Sequence, residues 1–144
     1  MVPCQQSRQR VLIVDDHELT RFNLQFLLRS QDNIEVVGLA SNGKEAVELV
    51  KTHRPTVAIL DLQMPLMDGL SAATHMKQIE PNLTIIAYSS VDDPQIEVMI
   101  QTAPMDAFCP KDIAPEKLLD IIEELGQKTQ VKPNKLSQGD PRNQ

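Results

Sequence analysis

The chain lacks the features that would place it outside the ordinary soluble class. No run of lysines and arginines occurs in its 144 residues, and the formal net charge is −6. Phosphate backbones are bound chiefly by basic side chains, so direct binding of DNA is not expected. There are two cysteines, Cys4 and Cys109, with no C-x-x-C spacing and no paired histidines beside them. They read as free thiols in a reducing compartment, neither disulfide nor metal site. Met1 to Arg10 contains no apolar signal core, and no apolar run approaches the roughly 20 residues of a membrane span. No internal repeat is visible. A cytoplasmic protein with no membrane contact is the expectation.

What is present is alternation. Short, β-branched apolar runs at 11–14, 34–39, 56–60, 83–88 and 105–109 read as strands. Between and after them lie helical patterns over 17–30, 42–52, 70–79, 95–102 and 115–125. In the first helix Leu19, Phe22, Phe26 and Leu27 have the spacing of an inner face. Ala46, Val47, Leu49 and Val50 are expected inward in the second, and Leu118, Leu119, Ile122 and Leu125 in the last. Gly126 fits a C-terminal stop. Five strands alternating with five helices predict an α/β fold, a doubly wound (βα)5 domain with a parallel sheet of order 2-1-3-4-5. The expected domain is 9–126, and the polar stretch 127–144 is expected to be a flexible tail. His17, His53 and His75 are scattered and read as surface residues. Met64, Met67 and Met76 read as core filler.

In an open parallel sheet ligands gather at the carboxyl ends of the strands. Asp15 and Asp16 follow the first strand, Asp61 the third, Ser89 and Ser90 the fourth, and Lys111 the fifth. Asp15 and Asp16 could instead cap the helix that follows. Taken together, the three carboxylates repel one another unless a cation neutralises them, and Mg²⁺ suits such oxygen ligands. A carboxylate beside a bound metal is competent to accept a phosphoryl group, with a lysine and a hydroxyl completing the clamp.

These residues resemble a known family. Val-Asp-Asp at 14–16, Asp-Leu-Gln-Met-Pro-Leu-Met-Asp-Gly at 61–69, Ser89 and Lys111 are similar to the receiver domain of two-component response regulators, a CheY-like fold. The wording is nearest to the NarL-type subfamily, and the resemblance covers about residues 9–126. It implies Asp61 as phosphoacceptor, with Mg²⁺ held by Asp15, Asp16, Asp61 and the backbone carbonyl of Gln63. It implies Ser89 as the switch hydroxyl, Lys111 as the ion-pair partner of the phosphoryl group, and Phe108 as the aromatic that moves with Ser89. Gln63 and Val91 occupy positions that tune the lifetime of the aspartyl phosphate. An apolar Val91 cannot position an attacking water, so slow autodephosphorylation is expected. Gly69 is expected to supply a backbone conformation other residues avoid.

The implied partners are a sensor histidine kinase and a downstream protein reached through the fourth helix, fifth strand and fifth helix, with a homodimer left open. The chain is not expected to be an enzyme beyond its own phosphoryl transfer and autodephosphorylation. No DNA-binding output module is visible after the last helix, so the chain reads as a stand-alone receiver or as part of a longer regulator.

Two departures from the family pattern stand out: Pro104-Met105 where Gly-Ala is usual, and Pro110 before Lys111 with Asp112 after it. They leave a phosphorylation-independent pseudo-receiver as the alternative. A dinucleotide- or flavin-binding reading fails because the first loop is acidic and lacks the glycines that cradle phosphate. An aspartyl phosphatase fails because Gln63 stands where the second carboxylate would be needed.

Overall fold

Each of the expected strand runs is a strand of one sheet in a computed structural model, which describes residues 8–62, 69–90 and 104–136, the last ten by backbone alone. The strands are β1 (Gln9–Val14), β2 (Ile34–Ala40), β3 (Val57–Leu60), β4 (Thr84–Ser89) and β5 (Ala107–Pro110). All pair in parallel, in the order β2-β1-β3-β4-β5. The described helices are α1 (Glu18–Arg29), α2 (Gly43–His53), α3 (Gly69–Ile79) and α4 (Pro115–Leu136). The helix expected over 95–102 lies outside the described residues.

Alternation along each strand sorts the core into two layers. Leu12, Val14, Ala58, Leu60 and Ile85 point to one face and meet Ala46 and Val50 of α2 and Ala72, Ala73 and Met76 of α3. Val11, Ile13, Val57, Ile59 and Ile86 point to the other and meet Leu24 and Leu28 of α1 and Leu118 and Ile122 of α4. Every residue of β3 and β4 is buried, as a sheet covered on both sides requires. Local signals set the helix ends. The Asn42 side chain accepts from the Glu45 N–H at 2.9 Å, and Arg54 closes α2 in the left-handed region with φ of 49°.

Three expectations are corrected. The inner face of α1 is Leu24 and Leu28, with Leu27 partly buried, whereas Leu19, Phe22 and Phe26 point to water. The helix carries two apolar stripes, and periodicity alone cannot say which one the β1–α1 connection turns toward the sheet. Gly126 does not end the last helix, which runs to Leu136, so residues 127–136 of the expected tail are helical. Gly126 is small because a Cβ there would strike the side-chain amide of Gln9, whose buried oxygen accepts from the Thr56 hydroxyl at 3.0 Å. Gly69 has no left-handed backbone, since no described glycine has a positive φ. A Cβ on it would lie 2.6 Å from the Leu62 Cα and 2.8 Å from the Asp61 carbonyl oxygen. Its absence lets the start of α3 press against the end of β3.

The entry to β5 follows neither Pro104 nor Met105 but Asp106. The Asp106 N–H donates to the Ile85 carbonyl at 2.8 Å. Its carboxylate accepts from the Ile85 N–H at 2.8 Å and pairs with Lys77 at 2.9 Å. The strand is thereby registered against β4 without the small residues usual there. Ala substitution should separate tight from loose glycines. Gly69→Ala is expected to cost about 1–3 kcal/mol in a urea melt, because backbone must move. Gly38→Ala, whose Cβ would meet only the flexible ends of Leu12 and Leu49 at 3.2 and 3.3 Å, is expected to cost less than about 1 kcal/mol. Equal losses would contradict the close-approach reading.

Candidate functional site

The parallel register brings the ends of β1, β3, β4 and β5 to one edge. Asp15 is fixed there by its N–H on the Ala40 carbonyl at 3.0 Å, and Asp61 by its N–H on the Val14 carbonyl at 2.9 Å. Lys111 is fixed by its N–H on the Ser89 carbonyl at 2.8 Å. The side chains converge as a result. The Lys111 ammonium lies 3.0 Å from Asp15 Oδ2 and 3.6 Å from Asp61 Oδ2. Asp15 and Asp61 are 1% and 2% exposed. Burial works to lower the Lys111 pKa, but its hydrogen bond to Asp15 and the charges of Asp61 and Asp15 together outweigh that and raise it. The lysine therefore stays charged throughout the physiological range.

Asp15 and Asp16 do not cap α1. The N-cap is His17, and no side-chain capping bond is made. Asp15 Oδ1 instead accepts from the His17 N–H at 2.9 Å. The His17 ring, exposed as expected, nonetheless sits with Nδ1 3.1 Å from Asp15 Oδ1 and from Asp16 Oδ1. One ligand atom from each of Asp15, Asp16, His17 and Asp61 lies within 4.8 Å of the others. The three carboxylates of this set, partly buried and balanced by one ammonium, offer the hard oxygens that suit a small divalent cation.

Ser89 and Ser90 separate cleanly. Ser89 is wholly buried, and its Oγ has no hydrogen-bond partner among the described residues. Ser90 is exposed. Phe108 is half-buried and packs with Met105 against Leu62 and Ala87, beside the ends of β3 and β4. Gln63 and Val91 lie outside the described residues, as do Met64 and Met67. Cys109 is buried and free, and burial pushes its thiol pKa up, in keeping with an inert thiol.

Two supports went unread in the sequence. The Arg21 guanidinium donates to the Asp15 carbonyl at 2.7 Å, tying α1 to the first acidic loop. The Tyr88 hydroxyl donates to the Lys111 carbonyl at 3.3 Å, bracing the loop that follows β5. Burial, chiefly, pushes the Tyr88 pKa up, so it remains a donor. An arginine one turn into α1 could have suggested the first support. Nothing in the spacing announces the second.

A doubly wound sheet with an acidic cleft and an apposed lysine at its carboxyl edge defines a class of aspartate-centred signalling modules, and the comparisons agree. The family model for the response regulator receiver domain matches residues 11–123. The chain is 36% identical over 110 residues to the uncharacterized transcriptional regulatory protein YhcZ of Bacillus subtilis, covering 76% of this chain and 51% of that protein. It is similar to the receiver domain of the response regulator NarL of Mycobacterium tuberculosis, with a TM-score of 0.76, 31% identity, and coverage of 85% and 98%. The receiver domain of the sensor histidine kinase PA1611 of Pseudomonas aeruginosa, solved with magnesium coordinated in its active-site cleft, shares the fold with a TM-score of 0.75 at 24% identity, covering 84% and 99%. This chain belongs to the response regulator receiver domain family, with the CheY-like fold of two-component systems. It spans about half or less of the length of the known relatives it matches.

The charge imbalance has a measurable consequence. In the absence of divalent cations, Asp61→Asn is expected to stabilise the fold by about 1–2 kcal/mol, by removing one buried like charge. Lys111→Met is expected to destabilise it by about 1–3 kcal/mol, the lower part of the range reflecting its partial exposure. Urea melts in EDTA check both signs.

Proposed function

We propose that the chain is a phosphorylation-activated switch that takes a phosphoryl group on Asp61. The observation that carries this is the Lys111 ammonium lying 3.0 and 3.6 Å from the buried carboxylates of Asp15 and Asp61. It does so despite the unusual prolines and aspartate around it, which disfavours the pseudo-receiver.

In the proposed reaction a carboxylate oxygen of Asp61 attacks phosphorus in line. The bond from phosphorus to the imidazole nitrogen of a kinase phosphohistidine, or to the carboxylate oxygen of a small acyl phosphate, breaks as the new acyl phosphate forms. Asp15, Asp16, Asp61 and the Gln63 carbonyl would hold Mg²⁺, which supplies positive charge against the equatorial oxygens of the phosphoryl group. Lys111, already charged, moves its hydrogen bonds from the carboxylates to the new anion. Ser89 Oγ, buried without a partner among the described residues, turns to donate to a phosphoryl oxygen. The room it leaves admits Phe108. The rearrangement would reach the outer side of β5 and α4, where a downstream protein would read it. It is a shift between two packings, driven only as far as phosphate prefers one. A sensor histidine kinase is the proposed donor, and the proposed location is the cytoplasm. No described helix is long and apolar enough to cross a membrane.

Intact mass after incubation with Mg²⁺ and acetyl phosphate tests the reading. One added phosphoryl group is expected for the wild type, and none for Asp61→Asn or in EDTA. No gain in the wild type, with metal binding demonstrated separately, would make the chain a pseudo-receiver. The lifetime is a separate matter: Gln63→Asn with Val91→Glu is expected to shorten the half-life of the phosphorylated form several-fold. A longer half-life would contradict the role given to those two positions.

A further inference from the structure

The outer face of α1 is apolar where a solvent-facing helix should be polar. Leu19, Phe22 and Phe26 are 69%, 61% and 75% exposed, diametrically opposite the buried Leu24 and Leu28. These two phenylalanines are most of the three in the chain. At i, i+3 and i+7 they form one continuous stripe along a helix about 18 Å long. A single exposed leucine needs no explanation, but an aligned stripe of this kind marks an interaction surface.

The polar flank of the stripe says what fits it. Glu18 at the start of α1 and Arg29 at its end lie on the same side of the stripe, roughly three turns apart. Both are exposed, and neither pairs with another described residue. We infer that the stripe is the contact for a second copy of this chain, docked with its α1 antiparallel about a two-fold axis. That axis keeps each flank on its own side and reverses its direction. Centred between Phe22 and Phe26, it sets Phe22 of one copy against Phe26 of the other. It also brings Glu18 opposite Arg29, twice by symmetry. The contact is isologous, so it closes at two copies. The antiparallel arrangement also opposes the two helix dipoles favourably. A parallel pairing would carry the two charged flanks to opposite sides of the seam, and neither Glu18 nor Arg29 would meet its complement.

One helix face buries less than the about 800 Å² per partner of a standard interface, so the dimer is weak and reversible. It requires no phosphorylation, and it stands or falls separately from the function proposed above.

Sedimentation equilibrium of the full chain, without phosphodonor, from micromolar to near-millimolar concentration, tests this. A reversible monomer–dimer equilibrium is expected. Phe22→Glu and Phe26→Glu, each made alone, are expected to weaken it by about tenfold or more while leaving the thermal melt in place. Glu18→Arg and Arg29→Glu should each weaken it severalfold, and the double variant should recover the loss. A wild type monomeric throughout would overturn the inference, even if it captures some other helical partner. So would a dimer indifferent to both phenylalanine variants, or a double charge swap no better than its single parents.

Discussion

Two carboxylates, Asp15 and Asp61, sit almost wholly out of water within reach of one ammonium, and a third, Asp16, stands beside them. Like charges so placed are costly, and the surrounding structure is arranged to hold them there. Backbone ladders fix Asp15 between β1 and β2, Asp61 between β3 and β1, and Lys111 against β4. The Arg21 guanidinium and the Tyr88 hydroxyl brace the two loops that carry the opposite charges. Gly69 allows α3 to close under the Asp61 turn. What this yields is an anionic cleft with a preset cation on one wall. Such a cleft fits a small divalent ion, and under the proposed function a phosphoryl group would find Lys111 already charged.

Much of this was legible in the residues. Strands of β-branched runs and carboxylates at their ends follow from patterns whose period and position have a direct physical cause. Ser89 was preferred to the adjacent Ser90 from the sequence, and burial separates the two: one hydroxyl ends an interior strand and the other is exposed after it. The α1 face was misread because the helix carries two stripes of similar spacing, and only the tertiary docking angle distinguishes them. Gly69 and Gly126 were misread for a shared reason. Turn chemistry explains a glycine locally, whereas both are required by a close neighbour that is distant in sequence or across a chain turn. Gln9, Asp106 and Tyr88 were invisible because a buried polar group earns its place through one specific partner, which no periodicity encodes.

The first helix links the acidic cleft to the exposed apolar stripe. It begins at His17, whose backbone and ring both address Asp15, and it carries Arg21 inward to the Asp15 carbonyl. Its other side is the apolar stripe. A single element thus has one face set by the acidic cleft and the sheet, and another that is apolar and exposed.

The central claim is that the acidic cleft is built to hold a divalent cation beside Asp61. Crystals grown with Mn²⁺ and measured for anomalous scattering test it most directly. One strong peak is expected in coordinating contact with the carboxylates of Asp15 or Asp16 and of Asp61, and it should be lost in crystals of Asp15→Asn combined with Asp16→Asn. Saturating Mn²⁺ that leaves this cleft without a peak, or a peak that survives the double substitution, would contradict it.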